Sequence, residues 1–194
     1  MLRQEQTGYL QELRPHIKAS LFLLVMGTVV GILSAAHFFT VDSGFSDSLK
    51  SFTQIFTGLP KPLLATAIFL NNATKTLLVL ILGIIGGVLP ICFLLLNGYA
   101  LGFVLYSSVQ SKGLVPSLLA IVPHGMFELP AVLLGASIGI LLGARAMRRL
   151  FGKFETPLRN DVGRGLSFFW SIILPLLLFA AFIEAFVTSA LVSK

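Results

Sequence analysis

His124 and Glu128 lie within Pro123, His124, Gly125, Met126, Phe127, Glu128, Leu129 and Pro130, with apolar sequence on both sides. An imidazole and a carboxylate are the side chains that exchange protons or hold a cation near neutral pH. Their i, i+4 spacing puts both on one face of a helix. At membrane depth an ionisable group costs roughly 2.5–3.5 kcal/mol on insertion scales, so it faces the protein interior and takes a partner. His37, Glu184, Asn71, Asn72 and Asn97 are further polar groups in apolar surroundings. Several chemistries compete for this set. Pro123 and Pro130 around Glu128 fit a helix N-terminus, whose dipole favours a carboxylate, with His124 capping or pairing with it. A hydrated ion or proton site would use His124, Glu128 and Glu184 beside a broken helix, as transporters do. A metal site would draw on His37, His124 and Glu128, although one His with Glu at i+4 is a weak signal without a second tight pair. The three amides suit bonds to backbone carbonyls or cross-links between helices better than substrate contact. No HExxH or Cys/His arrangement is present, and neither an enzyme nor a cofactor is expected.

The elements that must position these groups are membrane helices. Of the 194 residues 56% are hydrophobic and 11% charged, and the mean hydropathy is +0.92. Several apolar runs approach or exceed the ~20 residues that a helix needs to cross the hydrocarbon core. The expected fold is all-α, a polytopic transmembrane bundle of about five to six membrane helices in a single domain, 1–194. The net charge of +6 comes from basic residues beside apolar runs. Membrane lipids with anionic headgroups are therefore the expected partners, and no nucleic acid is. One cysteine, Cys92, excludes an intrachain disulfide framework.

Along the chain, 1–18 reads as a cytoplasmic arm in which Leu10, Leu13 and Ile17 recur at helical spacing, lying on the headgroup surface or solvated. The first span follows from about Ala19 to Val41. The outer loop 42–61 carries Phe45, Leu49, Phe52 and Phe56 on one helical face, which predicts an amphipathic helix on the outer surface. From Pro62 to Gln110 the only charge is Lys75. Two spans joined near Gly83, Gly86, Gly87 and Pro90 fit this stretch, as does a surface segment followed by two spans. Pro116, Pro123 and Pro130 predict a Pro-broken helix around residues 114–130, with a short or re-entrant piece ahead of a full span. Residues 145–165 hold Arg145, Arg148, Arg149, Lys153, Arg159 and Arg164 against Glu155 and Asp161. By the positive-inside rule this loop is cytoplasmic. A last span from Leu166 to about Val192 then ends outside, with an even number of crossings between the two basic regions.

Counting helical rise from the basic anchors places His37, Glu128 and Glu184 roughly 28, 25 and 30 Å away, all in the outer part of the membrane. Small residues repeat every fourth position: Gly27, Gly31 and Ala35; Gly83 and Gly87; Gly98 and Gly102; Gly135, Gly139 and Gly143; Ala181, Ala185 and Ser189. Such stripes let backbones approach within the chain or in a homodimer.

Asn71 and Asn72, then Asn97, Gly98 and Gly102, then Pro123, His124, Gly125, Glu128, Leu129, Pro130 and Ala131 resemble, in order and spacing, the stage II sporulation protein M family (SpoIIM). The resemblance covers roughly residues 15–192, and the PHGxxELPA segment is its most specific part. It implies an integral membrane protein of prokaryotes. The sporulation members act with extracytoplasmic peptidoglycan hydrolases during engulfment as their membrane anchor, and other members occur in organisms that do not sporulate. No catalytic residues come with the resemblance. The expected function is a non-enzymatic protein that anchors or organises a cell-envelope complex through an envelope protein partner. The alternative is a channel or transporter for an ion or small solute using the His/Glu site.

Overall fold

Helix begins in this chain well before the first apolar run. In a computed structural model, which describes residues 2–41, 60–152 and 157–188, α1 spans Leu2–Val41. Side chains at 2–7, 38–41, 120, 123, 124, 187 and 188 are outside the described set. At 1.5 Å per residue, the 40 residues of α1 reach about 60 Å, twice the ~30 Å hydrocarbon thickness. The first turns therefore overhang the apolar part. Tyr9 and Leu13 are buried there, so this part of the arm continues α1 and packs one face on the protein, while Gln11, Arg14 and Lys18 are exposed. Pro15 stands inside this helix, at an exposed position where water can satisfy the carbonyl it leaves unbonded.

The next two helices are α2, Lys61–Leu82, and α3, Val88–Lys112. Gly86 and Gly87 between them have φ of 64° and 74°, a left-handed conformation that side chains disfavour. This is the two-span division of 62–110, with the turn at the expected glycines. A single residue, Gly113 with φ 85° and ψ 170°, separates α3 from α4, Leu114–Leu150.

The helix α4 corrects the expected break. It runs unbroken through Pro116, Pro123 and Pro130. Pro116 falls in the first turn, where no donor is lost, and the later prolines each remove one N–H from a helix whose flanking bonds continue on both sides. In an apolar setting a chain that left the helix would expose more unpaired backbone than these two positions do. Residues 145–150 of the expected basic loop also belong to α4, and the next helix, α5, starts at Leu158 and runs to Phe168. It continues as a wider π-helical turn, Phe169–Ile173, then α6, Leu174–Ile183, then a second π turn, Glu184–Thr188. The first π turn has a local cause. Pro175 has no N–H to give, and the N–H of Leu174 reaches back five residues to the Phe169 carbonyl. The amphipathic outer helix expected at 42–61 falls outside the described residues up to position 59.

Among the described residues five helical segments are long and apolar enough to cross a membrane. Their packing follows the small-residue stripes. A Cβ built on Gly27 or Gly31 of α1 would run into the carbonyl of Leu95 or Tyr99 on α3, and one on Gly98 or Gly102 into that of Leu24 or Thr28 on α1. Positions on the two helices rise together, so α1 and α3 run parallel. Gly83 meets Gly139 and Gly143 meets Gly87, which pairs α2 with α4, again in parallel. The core beneath these contacts joins Leu13 of α1, Leu80 of α2, Ile138 and Leu142 of α4, and Phe169 and Leu177 of the last segment.

Candidate functional site

Of the predicted polar set, the structure brings the two carboxylate-bearing segments together. The turn Glu184–Thr188 packs against α4, which carries Glu128, and against α2, which carries Asn71 and Asn72. One turn of helix away, the Phe127 ring meets Phe179 edge-on at 4.7 Å, fixing α4 against α6 beside Glu128. Glu128 and Glu184 are both half-buried, and Glu184 is the first residue of its π turn. Asn71 is exposed and donates through Nδ2 to Oδ1 of Asn72 at 3.2 Å. The Lys75 side chain, on the same helix, is exposed.

His37 and Asn97 belong to the other helix pair. His37 is exposed near the end of α1, and half-buried Asn97 on α3 donates to the Phe93 carbonyl one turn back at 2.7 Å. Gly98 and Gly102, the motif glycines, are buried against α1, where their role is the close approach already described. Gly125 is half-buried, with only the Leu129 side chain near a built Cβ, and Pro130 is exposed. The backbone of Pro123 and His124 is helical, and their side chains lie outside the described set. Among the described residues no three His, Cys, Asp or Glu side chains converge as a metal site would require.

The tightest polar assembly is one that sequence reasoning missed, and it sits at the opposite end of the bundle. Arg145 and Arg149, one turn apart in the last part of α4, both reach Asp161 in the first turn of α5. Arg145 also pairs with Glu12 of α1, and Glu12 takes Arg164 of α5 at 3.0 Å through its second oxygen. The result is a chain of alternating sign, Arg164, Glu12, Arg145, Asp161, Arg149, in which each acid separates two guanidinium groups. Asp161 and Arg145 are 5% and 8% exposed, and the Arg149 to Asp161 distance is 2.5 Å. At this burial, charge-assisted bonds replace the lost hydration of each group. The Arg164 guanidinium also lies over the Tyr9 ring, 4.6 Å from its centre, and Tyr9 packs on Phe168 at 5.5 Å.

This chain ties the start of α1, the end of α4 and the start of α5 at one end of the bundle. The same register continues inward, where the buried hydroxyls of Ser20 and Ser137 lie 2.9 Å apart. Residue numbers sum alike in the Ser20–Ser137 and Glu12–Arg145 pairs, as antiparallel helices require. The available signal was the i, i+4 spacing of Arg145 and Arg149 beside Asp161 in an otherwise basic stretch. The partnership with Glu12 had none, because it spans most of the sequence.

The family model described as stage II sporulation protein M matches residues 20–189. An uncharacterised protein of Methanocaldococcus jannaschii is 30% identical over 123 residues, which is 63% of this chain and 69% of that one. No solved structure matches the chain. With its apolar helices and this match over most of its length, the chain is a multi-pass membrane protein that belongs to the stage II sporulation protein M family.

Proposed function

We propose that this protein is a non-enzymatic scaffold of the cell membrane that anchors or organises an envelope complex, with its N-terminus in the cytoplasm and its C-terminus outside. The observation that carries the reading is the locking of the bundle. Glycines hold α1 on α3 and α2 on α4 backbone to backbone, and the alternating ion chain clamps α1, α4 and α5 at one end. A rigid membrane body suits anchoring, because it transmits position without itself rearranging. The orientation follows from the basic residues at the clamped end. The family description, stage II sporulation protein M, is in keeping with an envelope role.

On this reading the segment with Phe45, Leu49 and Phe52 contacts the partner. Cross-linking in intact cells followed by recovery of the tagged chain tests it. Envelope proteins recovered with the natural sequence should be lost with Leu49→Asp while the protein remains in the membrane at normal level. Equal recovery from both would sink the anchor reading.

A transport reading has one specific observation in its favour: Glu184 opens a π turn packed against the helix that carries Glu128, and π turns recur at functional sites. In proteoliposomes, Glu128→Gln should then change proton or cation flux and leave the unfolding midpoint in place. Unchanged flux with lowered stability would instead make Glu128 a structural group.

A further inference from the structure

A groove of about 500 Å³ runs between α2 and α6, lined by Ala65, Thr66, Phe69, Leu178, Phe179 and Phe182 among others. We infer that it is a phospholipid site, in which one acyl chain fills the groove and an anionic headgroup meets Lys61. The inference does not depend on the anchoring role or on which side of the membrane the termini lie.

The lining decides the class of occupant. Thr66 is its one polar side chain, and its hydroxyl is already committed to the Pro62 carbonyl at 2.9 Å. The groove therefore offers hydrocarbon and no uncommitted hydrogen-bond donor, which suits an alkyl chain and leaves most groups of a polar solute unmet. Its volume is within the range of about 300–1,000 Å³ typical of small-molecule sites.

The walls are also held in place. The Phe179 ring is pinned edge-on by Phe127, and Phe182 is stacked on Phe186 at 4.7 Å. Two of the rings that shape the groove thus each have an aromatic neighbour, which lowers what a bound chain must order. One of the pinning residues, Phe127, lies inside the motif segment, next to Glu128.

The charge at the mouth selects the headgroup. Lys61 is exposed and stands one helical turn ahead of Ala65, on the same face of α2 as the lining. It is the first residue of a helix long and apolar enough to span a membrane, and a cation at the end of such a helix can meet a lipid phosphate. A chain lying in the groove and a phosphate at Lys61 are then parts of one molecule.

Native mass spectrometry of the full chain, released from detergent after incubation with phosphatidylglycerol or phosphatidylcholine of identical acyl chains, tests this. The natural sequence should retain one phosphatidylglycerol. Thr66→Phe and Leu178→Trp, which fill the groove from opposite walls at exposed positions, should each lose it, with Leu96→Phe on α3 as a control that keeps it. Lys61→Gln should lower the preference for phosphatidylglycerol over phosphatidylcholine by about fivefold. Retention by both filled variants equal to the natural sequence would overturn the proposal, as would no retained lipid. A groove found occupied by another stretch of this chain, or by a partner helix, would overturn it too.

Discussion

Asp161→Asn is the sharpest perturbation of the ion chain. The carboxylate is 5% exposed and serves two arginines, so the amide leaves two guanidinium groups facing each other across a neutral side chain. Breaking a buried pair by removing one partner costs about 3–5 kcal/mol. Arg145 keeps Glu12, which puts the expected loss near the lower end, about 3 kcal/mol. Glu12→Gln is the internal comparison. Its carboxylate is 31% exposed and its partner Arg164 is 38% exposed, so Arg164 can turn to water and Arg145 keeps Asp161. That loss should be about 1 kcal/mol. The double variant strips Arg145 of both acids and should cost about 1 kcal/mol more than the sum, although Glu12 and Asp161 are each other's neighbours only through Arg145. Unfolding by dodecyl sulfate in mixed micelles, followed through the single tryptophan Trp170, measures all three. Equal losses for the two single variants, with strict additivity in the double, would refute the claim that these five side chains act as one buried unit.

Four further outcomes follow from backbone geometry and buried hydroxyls. Gly102→Leu drives a side chain into the Thr28 carbonyl and should cost about 3 kcal/mol or more in the same assay, whereas Gly163→Ala on α5, where a Cβ meets nothing, should stabilise by about 0.5–1 kcal/mol. Gly113→Ala, at φ 85° and ψ 170°, should lose about 1–3 kcal/mol and show as a lowered thermal midpoint in detergent. Ser137→Ala removes the buried contact with Ser20 and should cost about 0.6–1.7 kcal/mol, measured by the same unfolding titration.

The membrane class, the spans and the glycine turn between α2 and α3 were legible because each is a property of a short segment. Partition into hydrocarbon depends on the local sum of side chains, and a left-handed turn needs glycine at its own position. The prolines of α4 misled for a related reason: proline disfavours helix locally, yet an apolar environment makes leaving the helix costlier than losing two bonds. Of the candidate polar residues, the sequence placed Glu128 and Glu184 at similar depth, and the fold put their segments in contact. His37 and Asn97 went to the α1 and α3 pair, which depth alone could not foretell.

What the tertiary structure alone decided is pairing. Lipid and leucine are equally apolar, so hydropathy does not say which face of a span meets protein. Each span carries small residues, and only shape in three dimensions matches Gly27 and Gly31 with Gly98 and Gly102, or Gly83 and Gly87 with Gly139 and Gly143. The pairs formed are parallel helices that are not consecutive in the chain. The same holds for the charges. That the basic stretches cluster is a matter of counting, but Arg145 finds Glu12 only because α1 and α4 lie antiparallel in one register. Composition determined that this chain crosses the membrane and about how often, and packing determined what the crossings make.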